Sequence, residues 1–243
     1  MEDYGTSTYG DRAADVYDDF YPAGEDTAAA AELLAELAGD GAALELAIGT
    51  GRVALPLARR GVRVHGIDSS QAMVDRMRAK PGGERIPVTI GDFADVVADG
   101  PFRLVYVVFN TLFALLTQAE QVRCFRNVAQ RLTGDGVFVV EAFVPDLSRF
   151  DRRQRTGLNR MTVDEVVLDV SEHDALNQRI DSQHVILRAG GIRLLPVRLR
   201  YAWPAELDLM AQLAGLRLRD RWAGWRREPF TAASGVHVSV YGR

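Results

Sequence analysis

The stretch Leu44-Glu45-Leu46-Ala47-Ile48-Gly49-Thr50-Gly51-Arg52 decides how the rest of the chain is interpreted. Its first residues are mostly apolar, which is typical of a short buried strand, and its glycines indicate a tight turn. Gly49 and Gly51 have no Cβ atom, so the backbone can bend sharply and a ligand can lie against it. Free N–H groups at the start of the next predicted helix, Arg52 to Arg60, point at such a ligand. The stretch therefore predicts a strand–turn–helix unit that binds a ligand on its turn.

Polar residues follow each of the next three predicted strands. Asp68 ends the second strand, Gly91-Asp92-Phe93 follows the third, and Asn110 follows the fourth. An acid after the second strand of a βαβ unit is placed to accept hydrogen bonds from two ribose hydroxyls. Ligands of open α/β sheets bind outside the carboxyl ends of the strands. We therefore expect these residues to surround one crevice.

Two cofactor classes fit the glycine pattern. The spacing Gly49-x-Gly51-x-x-Ala54, with Asp68 somewhat further on, also satisfies the dinucleotide fingerprint of NAD(P)-dependent oxidoreductases. However, Glu45 stands where a dehydrogenase usually has an apolar strand residue. The chain also has no Tyr-x-x-x-Lys pair, and Lys80 is its one lysine. An oxidoreductase is therefore the less favoured alternative.

At Glu45–Gly51, Asp68 and Gly91-Asp92 the chain resembles the class I S-adenosylmethionine (SAM)-dependent methyltransferases. Their pattern runs E/D-x-x-x-G-x-G, with an acid after strand two and G-D after strand three, and the resemblance covers roughly residues 9 to 143. It implies SAM as cofactor and methyl transfer to a nitrogen or oxygen of a small secondary metabolite or modified peptide. The segment 226–232 is similar to part of peptide N-methyltransferases, including those that dimethylate the amino terminus of linaridin peptides. A non-catalytic SAM-binding scaffold is a second alternative.

The resemblance also implies roles for individual residues. Asp68 is expected to bind the ribose, and Asp92 and Phe93 the edge and face of the adenine. Tyr17, on an N-terminal helix, is expected to close over the cofactor. The full predicted cofactor-binding set is Tyr17, Glu45, Ala47, Gly49, Gly51, Asp68, Ser69, Met73, Gly91, Asp92, Phe93, Phe109 and Asn110.

Structural roles are open for several members of that set. Phe93 has a core position as its alternative, and a methionine on a helical stripe, such as Met73, is more often a core residue. Glu45 could be a buried acid bonded to backbone N–H groups, and Tyr17 could simply pack its helix on the sheet.

Catalytic residues are less clearly marked. Methyl transfer is an in-line displacement at carbon, for which an enzyme mainly aligns the nucleophile and excludes water. A general base is needed only when the acceptor must first lose a proton. The candidates are Glu141, near the end of the fifth strand, and His173 and His184 further along. Each histidine has a structural role as its alternative.

Composition narrows the possible partners and location. A net charge of -4 over 243 residues does not favour nucleic acid. No apolar run is long enough to span a membrane, and the first four residues do not resemble a signal peptide, so we expect a cytoplasmic protein. Cys124 has no disulfide partner and lies on a helical apolar stripe. No His or Cys pair has metal-ligand spacing, so we expect no metal site.

The apolar runs predict an α/β fold: a doubly wound, seven-stranded Rossmann-like methyltransferase sheet with an antiparallel β-meander inserted near the active-site edge. We interpret residues 1–243 as a single domain. Its parts are an N-terminal helical lid (1–42), a cofactor-binding core (43–145), the insertion (146–203) and a C-terminal completion of the sheet (204–243). Predicted helices include Arg12–Tyr21 and a short turn of helix near Asp95–Ala98.

The predicted meander has three strands: Met161–Val170, Ile180–Ala189 and Ile192–Trp203. It is expected to cover the acceptor pocket or to pair with a second subunit in a homodimer. An arginine-rich segment, 149–160, precedes it. A solvated loop and an anion-binding site are the two interpretations of that segment.

Overall fold

The structure is a computed structural model, and it describes residues 3–243; Met1 and Glu2, the start of the predicted lid, lie outside the described residues. Its strands are β1 (Ala42–Leu46), β2 (Arg63–Asp68), β3 (Val88–Ile90), β4 (Phe102–Val107), β5 (Leu132–Phe143), β6 (Gln154–Met161), β7 (Glu165–Asp174), β8 (Arg179–Arg188), β9 (Gly191–Arg200), β10 (Arg217–Trp222) and β11 (Val236–Gly242). Its α-helices are α1 (Thr8–Ala13), α2 (Tyr17–Phe20), α3 (Glu25–Ala38), α4 (Ala54–Arg59), α5 (Gln71–Arg78), α6 (Gln118–Arg131) and α7 (Pro204–Leu213). No helix in this described part is long and apolar enough to cross a membrane.

The first sheet has seven strands in the order β10-β11-β5-β4-β1-β2-β3. The strands β1 to β5 run parallel, and β11 is antiparallel to β5 and β10. Helices α3 and α4 bury Leu34 and Leu57 on one face of the sheet, and α6 and α7 bury Phe125 and Met210 on the other. Its central strands are buried on both faces and therefore appear in the sequence as apolar runs. The predicted doubly wound α/β sheet is confirmed.

The second sheet is an antiparallel meander in the order β6-β7-β8-β9. It has four strands, whereas the sequence predicted three. The extra strand, β6, is an edge strand that carries Arg155, Asn159 and Arg160 among few apolar residues. Polar edge strands lack the alternation that marks a half-buried strand. The predicted first strand, Met161–Val170, joins the end of β6 to part of β7.

The N-terminal segment differs from its prediction as well. The expected helix Arg12–Tyr21 is two short helices, α1 and α2, separated near Val16. The break lets the segment pack in two directions. Ala13 and Ala14 contact Met73 beside the first sheet, while Val16 packs on β7, β8 and β9 of the second sheet. These helices therefore bridge the two sheets, whereas α3 belongs to the helical layer on the first sheet.

The segment after β3 contains a turn where the sequence predicted a short turn of helix near Asp95–Ala98. Val96 has a φ of 45°, a left-handed conformation that interrupts helical geometry. The side chain of Val96 is fully buried, which holds the loop against the core of the first sheet.

Candidate active site

The turn after β1 is held by the carboxylate that follows β2. The Gly49 N–H donates to Asp68 Oδ2 at 2.7 Å, and the Ser70 N–H donates to Asp68 Oδ1 at 2.8 Å. Ser70 is also the N-cap of α5, since its hydroxyl accepts the Met73 N–H. Asp68 therefore fixes the relative positions of two loops at the carboxyl edge of the sheet.

Glycine is required at the two positions of the turn for different structural reasons. Gly51 has a φ of 77°, and a Cβ atom there would lie 2.5 Å from Met77 Cγ. Gly49 has a φ of 57°, but the nearest atom to a Cβ there is the Ala47 carbonyl oxygen at 4.0 Å. Ala47 itself has a φ of 56°. The surface beside Gly49 is thus open to a ligand, whereas Gly51 is needed for packing.

Glu45 lies beneath this turn with 2% of its surface exposed. Burial raises its pKa to about 8, although the Tyr106 hydroxyl and the charge of Arg52 oppose the shift. Tyr106, on β4, donates a hydrogen bond to Glu45 Oε2 at 2.9 Å. A backbone hydrogen bond from Ala54 also opposes the rise in the pKa of Glu45. The alternative role of Glu45, a buried acid bonded to backbone N–H groups, therefore stays open.

The loop after β3 places Gly91 and Asp92 at the same edge. Asp92 Oδ1 accepts the Ala94 N–H at 2.9 Å, and Oδ2 lies 3.5 Å from Arg123 Nη2. Phe93 is 9% exposed and packs in the core of the first sheet. Its position favours the core role over a stacking contact with a ligand.

Aromatic side chains run from the N-terminal helices to the end of β4. Tyr17 contacts Tyr9 and Tyr21, with ring centroids 6.4 and 5.1 Å away. The Tyr21 ring lies 4.8 Å from that of Phe109, and Arg52 stands 4.6 Å above the same Phe109 ring. Burial raises the pKa of Tyr17 to about 12, so its hydroxyl stays protonated at neutral pH.

Polar contacts fasten the same segment to the glycine turn. Asp18 accepts a hydrogen bond from the Thr50 hydroxyl at 2.6 Å and pairs with Lys80 Nζ at 2.6 Å. Lys80 Nζ also donates to the Thr50 carbonyl at 2.8 Å. We call Asp18, Thr50 and Lys80 the latch. The predicted cofactor residue Ser69 donates to the Thr6 carbonyl, so its side chain also holds the N-terminal segment.

A cavity of about 380 Å³ lies where the two sheets approach each other. We call it the inter-sheet cavity. From the first sheet and the N-terminal helices it is lined by Tyr17, Tyr21, Phe109 and Asn110, and from the second by Asp169, Ser171, Ser182 and His184. It therefore begins at the crevice and extends under the meander.

His184 and Asp169 face each other across this cavity wall. They are paired in the register of β7 and β8, and His184 Nδ1 is hydrogen-bonded to Asp169 Oδ1. Asp169 Oδ2 accepts a second hydrogen bond, from Asn159 Nδ2 at 2.9 Å. His184 Nε2 makes no hydrogen bond within residues 3–243. Nε2 is therefore the ring nitrogen that remains for a molecule in the cavity.

The two other predicted catalytic residues lie outside the lining of this cavity. His173 is buried, with Nε2 2.9 Å from the Tyr201 hydroxyl and its ring stacked on Phe150. Glu141 accepts the Phe109 N–H at 2.7 Å and the indole N–H of Trp225 at 2.9 Å. Their catalytic roles stay predictions, and both side chains have protein partners.

Several residues of the site were missed in the sequence. Arg52 was interpreted only as a helix start, and Asp18 stands beside the predicted Tyr17 without a motif of its own. Asp169 alternates with Ser171 along β7, which is a signal for a shared face but not for a function. Asn110 was predicted, and its side chain accepts the Phe143 N–H at 2.6 Å.

The residues at the edge of the first sheet fit the cofactor that the resemblance implies. The open surface at Gly49 admits close approach to the backbone, and carboxylates end β2 and follow β3. Met73 is 4% exposed and packs under Tyr9 and Tyr17, which favours the core role for this residue as well. An amino acid, a ribose and a base each meet suitable partners in this set.

Comparisons with known proteins agree with this geometry. A family model described as a methyltransferase domain matches residues 43–136. The CcbJ methyltransferase from Streptomyces caelestis is 44% identical, with a TM-score of 0.93 over 98% of this chain and 99% of that one. The cypemycin N-terminal methyltransferase of Streptomyces sp. is 28% identical over 201 residues, 82% of each chain. SAM-bound CalS10, an amino pentose methyltransferase from Micromonospora echinaspora, shares the fold, with a TM-score of 0.66 at 23% identity over 93% of this chain and 95% of that one.

The likeness to CcbJ extends over nearly the whole of both chains, including the second sheet. The comparisons give no support to an oxidoreductase, and SAM is the cofactor of this fold and motif set. The chain therefore belongs to the class I SAM-dependent methyltransferases.

Proposed function

We propose that this methyltransferase modifies a nitrogen or oxygen atom of a small secondary metabolite or modified peptide bound in the inter-sheet cavity, with His184 as the general base. The observation that carries the proposal is the His184–Asp169 pair, which faces a cavity that opens at the cofactor edge of the first sheet. The relatives support the acceptor class. One is named for a peptide amino terminus and another for an amino pentose, so an amine is the first acceptor to test.

The cofactor residues divide the ligand between them in this proposal. Backbone groups beside Gly49 hold the amino-acid end, Asp68 accepts the ribose hydroxyls, and Asp92 meets the adenine edge. When bound, SAM supplies a methyl group on a sulfonium leaving group. The aromatic side chains Tyr17 and Tyr21 exclude water from the space between the two ligands.

His184 acts on the acceptor. An ammonium group has no lone pair, so an amine that arrives protonated must lose a proton before it can attack carbon. Asp169 holds Nδ1–H, which fixes the tautomer and leaves Nε2 as the proton acceptor. Asp169 also stabilises the imidazolium that forms when His184 takes the proton. It is a positioning residue, because it acts through His184.

The experiment is a matched acceptor screen. The enzyme is incubated with SAM and with pairs of amines and alcohols that share one carbon skeleton, including amino sugars and short peptides with free amino termini. Mass spectrometry detects replacement of a hydrogen by a methyl group. We expect amines to be modified and His184→Gln to abolish most of the transfer. Unchanged transfer by His184→Gln would overturn the assignment of the base.

Two further features belong to the same proposal. The second sheet exposes Met161 and Ile192, at 68% and 71%, and these support a homodimer through that face. Light scattering after size-exclusion chromatography measures the assembly.

We also propose a cytoplasmic location, which suits a chain whose one cysteine, Cys124, is a buried free thiol. Fluorescence microscopy of a tagged protein tests it.

A further inference from the structure

Two arginines line the inter-sheet cavity without a protein partner. Arg149 ends a short helix after β5, and Arg155 lies on β6. In the part of the chain that the structure describes, neither guanidinium has a hydrogen bond or a carboxylate oxygen within 4.0 Å. Their neighbours differ: Arg160, further along β6, pairs with Glu165 at 2.5 Å. The lack of a partner is therefore not a general property of this arginine-rich segment.

The position of Arg155 is set by a glycine. A Cβ atom at Gly157 would lie 3.4 Å from Arg155 Nη2 and 3.7 Å from its Cζ, so the guanidinium lies over Gly157. Gly157 is in register with Asp169 on β7, and Asp169 is in register with His184 on β8. The guanidinium and His184 thus share one row across the sheet. Two strand spacings separate them, which is about 10 Å.

The charges in the cavity do not balance. The guanidiniums of Arg149, Arg155 and Arg198 line it with one carboxylate, that of Asp169, among the described residues. Asp169 is engaged by His184 and Asn159, and Arg198 is paired with Asp181 at 3.0 Å. Arg149 and Arg155 are therefore the two cations of the cavity lining that no described carboxylate pairs with.

Partial burial lowers the pKa of Arg149 and the charge of Arg155 lowers it further, while the charges of Asp146 and Asp169 oppose both effects. Two neighbouring cations of this kind favour an anion between them.

We propose that Arg149 and Arg155 form an oxyanion-binding subsite for the methyl acceptor. The inference rests on the proposed function and adds a feature of the substrate. The acceptor carries a carboxylate or a phosphate about 10 Å from the atom that is methylated, because the Arg155 guanidinium lies two strand spacings from His184. The aromatic ring of Phe150 lines the same cavity and contacts the body of the molecule.

The test uses three probe peptides that differ in one group. They are the C-terminal amides of alanyl-4-carboxyphenylalanine, alanyl-phenylalanine and alanyl-phosphotyrosine, which supply a carboxylate, no anion and a phosphate at the same ring position. Each is titrated calorimetrically into the complex with S-adenosylhomocysteine. The variants are Arg149→Gln/Arg155→Gln and the matched control Arg152→Gln. Arg152 belongs to the same segment but is exposed and does not line the cavity.

We expect at least one anionic probe to bind the wild type about tenfold or more tightly than alanyl-phenylalanine amide, as charge-assisted pairs do. The double variant should lose that preference, and Arg152→Gln should keep it. The anionic probe that binds with the higher affinity shows whether the acceptor carries a carboxylate or a phosphate. Equal binding of all three probes, binding of none of them, or an equal loss in Arg152→Gln would overturn the subsite.

The same titrations separate this inference from the proposed function. S-adenosylhomocysteine should bind the wild type and both variants with the same affinity, because neither arginine lies at the glycine turn. If S-adenosylhomocysteine bound while the preference for the anionic probes was missing, the subsite alone would fail. If transfer to amines failed in the wild type, the proposed acceptor chemistry would fail first.

Discussion

The two sheets hold most of the polar side chains of the candidate site in opposite ways, and the buried Glu45–Tyr106 pair of the first sheet is the exception. In the first sheet, carboxylates at strand ends bind backbone N–H groups of neighbouring loops, as Asp68 does with Gly49 and Glu141 with Phe109. In the second sheet, side chains in mid-strand bind one another across strands, as His184 does with Asp169. A site of the first kind is fixed by loop geometry at one edge, and a site of the second kind is fixed by strand register. The comparison predicts that cofactor affinity depends on the first sheet and acceptor turnover on the second.

The largest effect should come from the second sheet. His184→Gln should lower kcat by roughly 10²–10⁴-fold, the usual contribution of a general base. Affinity for S-adenosylhomocysteine, measured by calorimetry, should not change. His65→Gln is the matched control, because His65 lies on β2 and lines neither the crevice nor the inter-sheet cavity. The division between the sheets would break down if cofactor affinity fell together with turnover.

The next effect concerns the buried acid of the first sheet. Burial raises the pKa of Glu45 to about 8, whereas its ordinary value is 4.5. Between these two pH values, Glu45 therefore keeps its proton in the folded protein and loses it in the unfolded chain. Stability should be fully present below pH 4.5 and should fall as the pH rises to about 8.

Glu45→Gln should remove this dependence. In cofactor-free protein at pH 9, the variant should be more stable than the wild type by up to about 5 kcal/mol, since each pKa unit corresponds to about 1.4 kcal/mol. Urea unfolding between pH 5 and pH 9 measures it, with exposed Glu32→Gln as the control. A flat pH profile in the wild type would contradict the assigned protonation state.

A third variant probes the ribose contact. Asp68→Asn should weaken binding of SAM and its product by about 1.5–3 kcal/mol, the range for hydrogen bonds to a charged group. The acceptor KM should stay unchanged at saturating SAM. Asp75→Asn serves as the control, because Asp75 on α5 accepts only from its helix neighbour Gln71. Wild-type cofactor affinity in a folded Asp68→Asn would remove Asp68 from the site.

The smallest effect is expected at the latch. Lys80 and Asp18 are 31% and 44% exposed, and ion pairs of such exposure contribute about 1 kcal/mol or less. Asp18→Asn should therefore raise the dissociation rate of S-adenosylhomocysteine several-fold, as followed by stopped-flow fluorescence. Asp19→Asn should leave the rate unchanged, because the Asp19 side chain is exposed and makes no hydrogen bond or ion pair with the residues described. Equal rates in both variants would show that the latch does not hold the cofactor.

The same contrast explains what the sequence could reveal. Strand-end residues such as Asp68 are adjacent to a run of apolar residues and a glycine turn, so their position in space follows from chain order alone. The seven-stranded sheet was predictable for that reason. The roles of these residues remain predictions, although the structure places Gly49, Asp68 and Asp92 in the loops at the carboxyl edge of the first sheet.

The second sheet could not be predicted in the same way. His173 and His184 are equivalent in the sequence, and only the register of β7 and β8 pairs His184 with Asp169. His173 lies on the same face of β7, four residues beyond Asp169, where Tyr201 covers it. Edge strand β6 has no apolar alternation that would reveal it in the sequence. The strand register that relates Arg155 to His184 therefore cannot be predicted.

The N-terminal helices have a consequence for the order in which ligands associate. Asp18 contacts the glycine turn on one side of this segment, while Phe20 and Val16 pack against His184 and Val167 on the other. One short segment is thus a wall shared by both ligands. We expect the ligand that binds first to immobilise the wall, so that the second meets a surface whose conformational entropy is already lost. By thermodynamic linkage, each ligand must then strengthen the binding of the other by the same factor.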